Sequence, residues 1–174
     1  MEHQEEVIAI GECGIDLHFP DNARLEVQQK LLQLQAELAR KLQLPIVIHS
    51  RDGFEETIEV LKEFSDLKMY FHSRGYGKVA LEKAESLFPS LWIGFNNIIS
   101  YPNAHQTRES LLAAKKAHIL IETDAPYLPP QVFRGQRNYP EYVSYVYEKC
   151  AELLEMKQVE LEEMIRENFE RFVQ

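Results

Sequence analysis

IVIHSRDGF, residues 46–54, joins a short apolar run of β-type residues to a histidine, an arginine and an Asp-Gly step. The residues after it, DGFEETIEVLKEFS (52–65), carry apolar positions at helical spacing. A run without polar alternation that feeds a helix is the signature of a strand buried on both faces in a βα unit. The same unit recurs on both sides. Strand-like runs stand at VIAIGECG (7–14), PIVIHS (45–50), KMYFHS (68–73), LWIGFN (91–96) and HILIETD (118–124). Helix-period segments separate them at 23–43, 52–65, 78–88 and 105–117. In the first, Leu25, Leu31, Leu32, Leu38 and Leu42 form an apolar stripe behind Asp21 and Asn22 as N-caps. After the fifth run a Pro- and Gly-containing loop (125–140) leads to two closing helices near 141–155 and 158–173. Alternation of this kind predicts parallel strands with right-handed crossovers, an α/β fold in a single domain spanning 1–174.

In parallel α/β folds, chemistry collects where strands end and βα loops begin. Those ends are predicted to carry Glu12, His49, His72, Asn96 with Asn97, and Asp124. Carboxylates and imidazoles at four matching positions are the donors that hold Zn²⁺, Mn²⁺ or Mg²⁺, so His49 reads as a ligand rather than core filler. Period-two alternation places His118, Leu120, Glu122 and Asp124 on one face of the fifth strand. Glu122 then lies beneath Asp124, either supporting the ligands or paired with a neighbouring base. His3, His18 and His105 read as surface residues, and His118 starts its strand at the wrong end. Arg51, Arg74, Arg134 and Arg137 fall on the same rim, and guanidinium groups there suggest an anionic substrate.

The 174 residues carry a net charge of −9, which argues against coating a long nucleic acid and leaves local engagement through a basic pocket. Cys13 and Cys150 stand in no metal-knuckle spacing and read as reduced thiols. The acidic N-terminus lacks a signal-peptide pattern, and no apolar run reaches membrane-spanning length, so a cytoplasmic protein without a membrane partner is expected.

IGECGIDLHF resembles the IGE-x-GLD segment of the TatD family of metal-dependent deoxyribonucleases. PIVIHSRD, FHSRG, ILIETDAPYLPP and GQRNYP resemble that family's later motifs, in order. The resemblance implies a (β/α)₈ barrel of the TIM type, of which this chain holds the last five βα units. It implies Glu12 as the carboxylate bridging two metal ions, His49 and His72 as ligands, and Asp124 as a ligand and proton acceptor for water. Glu12 and Asp124 are thereby catalytic. Arg51, Arg74, Arg137 and Asn138 would contact a DNA substrate, presented as an end or single strand. Divalent ions (Mg, Mn or Zn) are implied, two in a complete barrel and one in this chain. The family's opening HxH strand is missing, HCFSG reads HSRGY, and Tyr139 stands where the RN-x-P loop often has an acid.

Three explanations stand open: a fragment of a longer protein, a short homologue that completes its barrel through self-association or a complementing chain, and a degenerate copy. Unpaired flanks of a partial barrel should expose apolar surface. The alternatives to a deoxyribonuclease are an amidohydrolase-like enzyme on a small ester or amide, and a catalytically impaired partner-binding remnant.

Overall fold

A computed structural model describes residues 6–73 and 75–174. The elements run β1 (Ile10–Asp16), α1 (Leu25–Leu42), β2 (Ile46–Arg51), α2 (Phe54–Leu61), β3 (Met69–Phe71), α3 (Lys78–Leu87), β4 (Leu91–Phe95), α4 (His105–Ala113), β5 (Ile119–Ile121), α5 (Val143–Leu153) and α6 (Gln158–Val173). All five expected strands and every expected helix are present, and the strands pair in parallel, as the βα alternation requires. The chain divides into two compact units.

Of the described residues, the first unit holds 6–72, 83–92 and 172–174. β1 pairs with β2 (Gly14↔His49, Asp16↔Arg51), and β2 with β3 (Ile46↔Met69, Ile48↔Phe71). The β1 ladder is irregular between Ile10 and Cys13, which sets Gly11 and Glu12 off the regular pairing. Ile15, Ile46, Ile48, Leu61 and Met69 are fully buried, together with Leu32, Ala36 and Ala39 of α1.

That α1 face corrects the expected leucine stripe. Small alanines let the helix backbone approach the sheet, so the core side is Leu32-Ala36-Ala39, while Leu31 and Leu38 are exposed beside Val27 and Leu34. Asp21 and Asn22 do not cap α1 either. Arg24 occupies the cap without a side-chain bond, and the Asn22 amide donates instead to the Asp16 carbonyl. Val7 and Ile8, expected to open the first strand, lie outside β1 and are exposed.

Of the described residues, the second unit holds 73, 75–82 and 93–171. β4 pairs with β5 (Ile93↔Ile119, Phe95↔Ile121). Asn168 of α6 is fully buried and donates to the carbonyls of Lys116 and Ile119, both at 2.7 Å, which fixes α6 against the start of β5. Two helices end sooner than expected: α2 gives way to a 3₁₀ turn at 62–64, and α4 stops at Ala113. Cys13 and Cys150 are free thiols, both buried, and burial pushes each up to about 12. They stay protonated at neutral pH, which makes them poor nucleophiles.

Candidate metal centre

Three side chains of the first unit converge. Glu12 sits at the irregular step of β1, His49 inside β2, and His72 directly after β3. Glu12 Oε2 lies 2.9 Å from His72 Nε2, and His49 Nδ1 lies 3.0 Å from His72 Nε2 and 3.8 Å from Glu12 Oε1. All three donor atoms fall within 4.8 Å of one another. Donors placed tetrahedrally at 2.0–2.2 Å from an ion stand roughly 3.4 Å apart, so this spacing fits a divalent cation. Among the described residues this is the metal-competent group found. Glu12 and His49 are not strand termini as expected, because the β1–β2 ladder runs on to Asp16↔Arg51.

The other nitrogen of His49, Nε2, lies 3.2 Å from Asp16 Oδ2. A ring N–H donating there leaves the Nδ1 lone pair facing Glu12 and His72, the tautomer that a ligand needs. Asp16 is itself held from several sides. Its Oδ1 accepts from the His18 N–H, its own N–H donates to Gln28 Oε1, and its carbonyl accepts from the amides of Asn22 and Gln28. Sequence reasoning missed Asp16, although period two from Glu12 through Gly14 points to it. The burial pattern agrees, with Cys13 and Ile15 buried on the opposite face. Replacing Asp16 by asparagine is expected to weaken Zn²⁺ or Mn²⁺ binding 10- to 100-fold by roughly the cost of a lost orienting partner. Isothermal titration would show it, and an unchanged dissociation constant would remove Asp16 from this role.

Hydrogen bonding from His72 is the main influence on Glu12 and, with both nearby imidazoles, holds its carboxyl below the usual carboxylate range despite partial burial. Glu12 is therefore an ionised donor at neutral pH.

Asp124 and Glu122 belong to the second unit. β5 ends at Ile121, the Glu122 N–H still donates to the Phe95 carbonyl, and Asp124 adopts φ 59°, so the expected alternation does not reach Asp124. Glu122 accepts the backbone N–H of Ser73, the residue that follows His72 in the chain. Asn138, expected to touch substrate, is 1% exposed; its amide donates to the carbonyls of Thr123, Tyr127 and Leu128. It staples the loop after β5 because a buried amide must satisfy its donors.

Asn96 is likewise buried, capping the turn after β4 and donating to Ser73 Oγ, while neither amide atom of Asn97 finds a hydrogen-bond partner among the described residues. Arg51 is exposed with its guanidinium over the Phe19 ring. Arg134 and Arg137 are exposed on the loop after β5. Arg74 and His3 lie outside the described residues. His18 pairs with Asp52 at the surface, and His105 is exposed at the start of α4. No helix among the described residues is long and apolar enough to cross a membrane.

The parallel α/β scaffold thus gathers two imidazoles and a carboxylate from adjacent strands, a donor set suited to a divalent ion. The chain belongs to the family described as TatD related DNase, whose profile matches residues 1–174. It is 35% identical over 167 residues to the uncharacterized metal-dependent hydrolase YabD of Bacillus subtilis, covering 96% of this chain and 65% of that protein. Over 135 residues it is 33% identical to the human 3'-5' RNA nuclease TATDN2, covering 76% of this chain and 18% of the relative. The crystal structure of YjjV, a TatD homologue from Escherichia coli K12, superposes with a TM-score of 0.89 at 31% identity, covering 99% of this chain and 67% of that one. The chain thus spans about 65% of the length of YabD.

Proposed function

We propose that this protein is a metal-dependent phosphodiesterase acting on nucleic acid, in the manner of a TatD deoxyribonuclease. The observation that carries the reading is the convergence of Glu12, His49 and His72 on one coordination volume. Two imidazoles and a carboxylate suit Zn²⁺ or Mn²⁺ better than Mg²⁺, which prefers oxygen donors and keeps its waters. A bound divalent ion would lower the pKa of a water and neutralise charge on a phosphate.

The chain's own residues would do the rest. Asp16 keeps the His49 ring in its ligating orientation. The resemblance to the family implies Asp124 as the group that would take the proton of an activated water, and Glu122, through its bond to the Ser73 N–H, steadies the segment around Ser73. Arg51 is exposed in the same unit as the centre and would offer a guanidinium to phosphate oxygens, a pairing that favours an anionic diester over an uncharged ester or amide. The family's description as DNases and the RNA nuclease activity in the name of TATDN2 both support a nucleic-acid substrate. The likeness to YjjV supports reading the βα units as barrel units of the (β/α)₈ type.

The test is hydrolysis of bis(4-nitrophenyl) phosphate and of a labelled oligodeoxynucleotide, beside a lactone and an amide. The protein is first stripped with chelator and then supplied with Zn²⁺, Mn²⁺ or Mg²⁺. Diester turnover restored by metal is expected. Metal binding without any diester turnover would defeat the enzymatic reading, and preferential lactone cleavage would transfer it to the amidohydrolase class.

A further inference from the structure

We propose that the loop following β5 is a stacking platform for single-stranded nucleic acid, with Tyr127 and Tyr139 as base-facing rings and Arg134 and Arg137 as phosphate contacts. The inference rests on the nucleic-acid reading of the metal centre and adds to it the two exposed tyrosines of this loop, to which that reading gives no role.

Construction of the loop is the first observation. One buried side chain, Asn138, ties both tyrosine backbones: its amide donates to the Tyr127 carbonyl at 2.6 Å, and its Oδ1 accepts the Tyr139 N–H at 3.0 Å. The Asn138 N–H donates to the Pro126 carbonyl, and the Tyr127 N–H to the Asp124 carbonyl. The two residues are therefore braced against the chain that leaves β5, yet their rings are turned outward, 71% and 45% exposed.

Packing of the rings is the second. Tyr139 meets Tyr142 edge-on, with centroids 5.6 Å apart, and Tyr142 stacks on Phe133 at 4.8 Å with planes 15° apart. Tyr145 closes the cluster edge-on against both Phe133 and Tyr142. A ring held this way loses little freedom when a base lands on its open face, so less of the stacking energy is spent on ordering.

Charge is the third. The Arg134 Cζ stands over the Tyr101 ring, 4.1 Å from its centroid, and both Arg134 and Arg137 are exposed. Two exposed guanidiniums on the same loop as the two open rings oppose the −9 charge of the chain locally, although the exposed Glu141 nearby in the chain offsets part of their field. Open rings and cations on one loop supply the two partners a single strand needs, faces for its bases and charges for its phosphates, and a duplex, whose base faces are already stacked, cannot use the rings.

Binding can be read without turnover. A fluorescent oligothymidylate and the matching oligouridylate would be titrated by anisotropy, in EDTA, into the protein as it stands. Both strands should bind more tightly than a blunt duplex of equal length. Tyr127→Ala and Tyr139→Ala should each weaken binding about 5- to 100-fold, the range that losing one stacked base gives. Tyr139→Phe should bind as the unaltered protein does and Tyr139→Leu should not, which separates stacking from simple apolar area; circular dichroism checks the fold of each variant. No measurable oligonucleotide binding, alanine variants that bind normally, or a leucine variant equal to the phenylalanine one would each overturn the platform. Hydrolysis of bis(4-nitrophenyl) phosphate by the unaltered protein reads the metal centre separately, so tyrosine-dependent binding beside absent hydrolysis sustains the platform while defeating the enzymatic reading.

Discussion

His72→Ala is expected to abolish high-affinity divalent-metal binding, and with it any metal-dependent hydrolysis, while leaving the fold in place. His72 is the most enclosed of the three donors, its side chain 8% exposed against 27% for His49 and 54% for Glu12. It is also the shared one, with Nε2 within 3.0 Å of both partners' donor atoms. Removing it leaves an imidazole and a carboxylate whose nearest donor atoms are 3.8 Å apart, too few to retain an ion against water. Loss of an orienting partner costs 10- to 100-fold in affinity, so loss of a ligand should exceed about 100-fold. Glu12 would lose the hydrogen bond that lowers its pKa, and its carboxyl would move back towards the ordinary range. Isothermal titration with Zn²⁺ and Mn²⁺, beside far-UV circular dichroism, measures both expectations. A variant that binds metal as the unaltered protein does would show that His72 is no ligand.

Gly14→Ala is expected to disrupt the first unit altogether. Gly14 has φ +157° and pairs with His49 across the β1–β2 ladder, and a Cβ there would stand 1.7 Å from the His49 carbonyl oxygen and 2.7 Å from its carbon. Both are backbone atoms, so no rotamer change relieves the clash and the strands must separate. The pairs on either side, Cys13↔Ile48 and Ile15↔Ser50, separate with them, and Glu12 and Asp16 are drawn away from His49. Backbone incompatibility of this kind falls in the tail of mutational effects, more than about 4 kcal/mol, against a total stability of roughly 5–15 kcal/mol for a domain. The variant should be largely insoluble or melt far below the unaltered protein. An unshifted thermal or urea midpoint would mean that β1 does not lie against β2 as described.

His49 and His72 were legible in the sequence because each follows a short apolar run with no polar alternation, and Glu12 because it interrupts another. Asp16 was passed over. Its role depends on the register that sets Asp16 beside Arg51 and brings its carboxylate to the His49 ring. Asn138 was visible as a motif residue and misread, because nothing local shows that its amide is consumed by three carbonyls. The leucines of α1 misled for a similar reason: helical spacing marks several apolar faces, and close approach to the sheet selected the one carrying Ala36 and Ala39. At Asp124 the alternation ended with the strand, since a residue at φ 59° no longer follows period two.

By itself the sequence determined the order of strands and helices, their parallel sense and the chemical type of the site. These follow from hydrophobic periodicity and backbone chirality, which act over neighbouring residues and are written locally. Tertiary structure alone decided which helix face is covered, which carboxylate orients His49, and why a glycine must stand opposite it. Each of those depends on the separation of atoms far apart in the chain, and that separation exists only once the strands have paired.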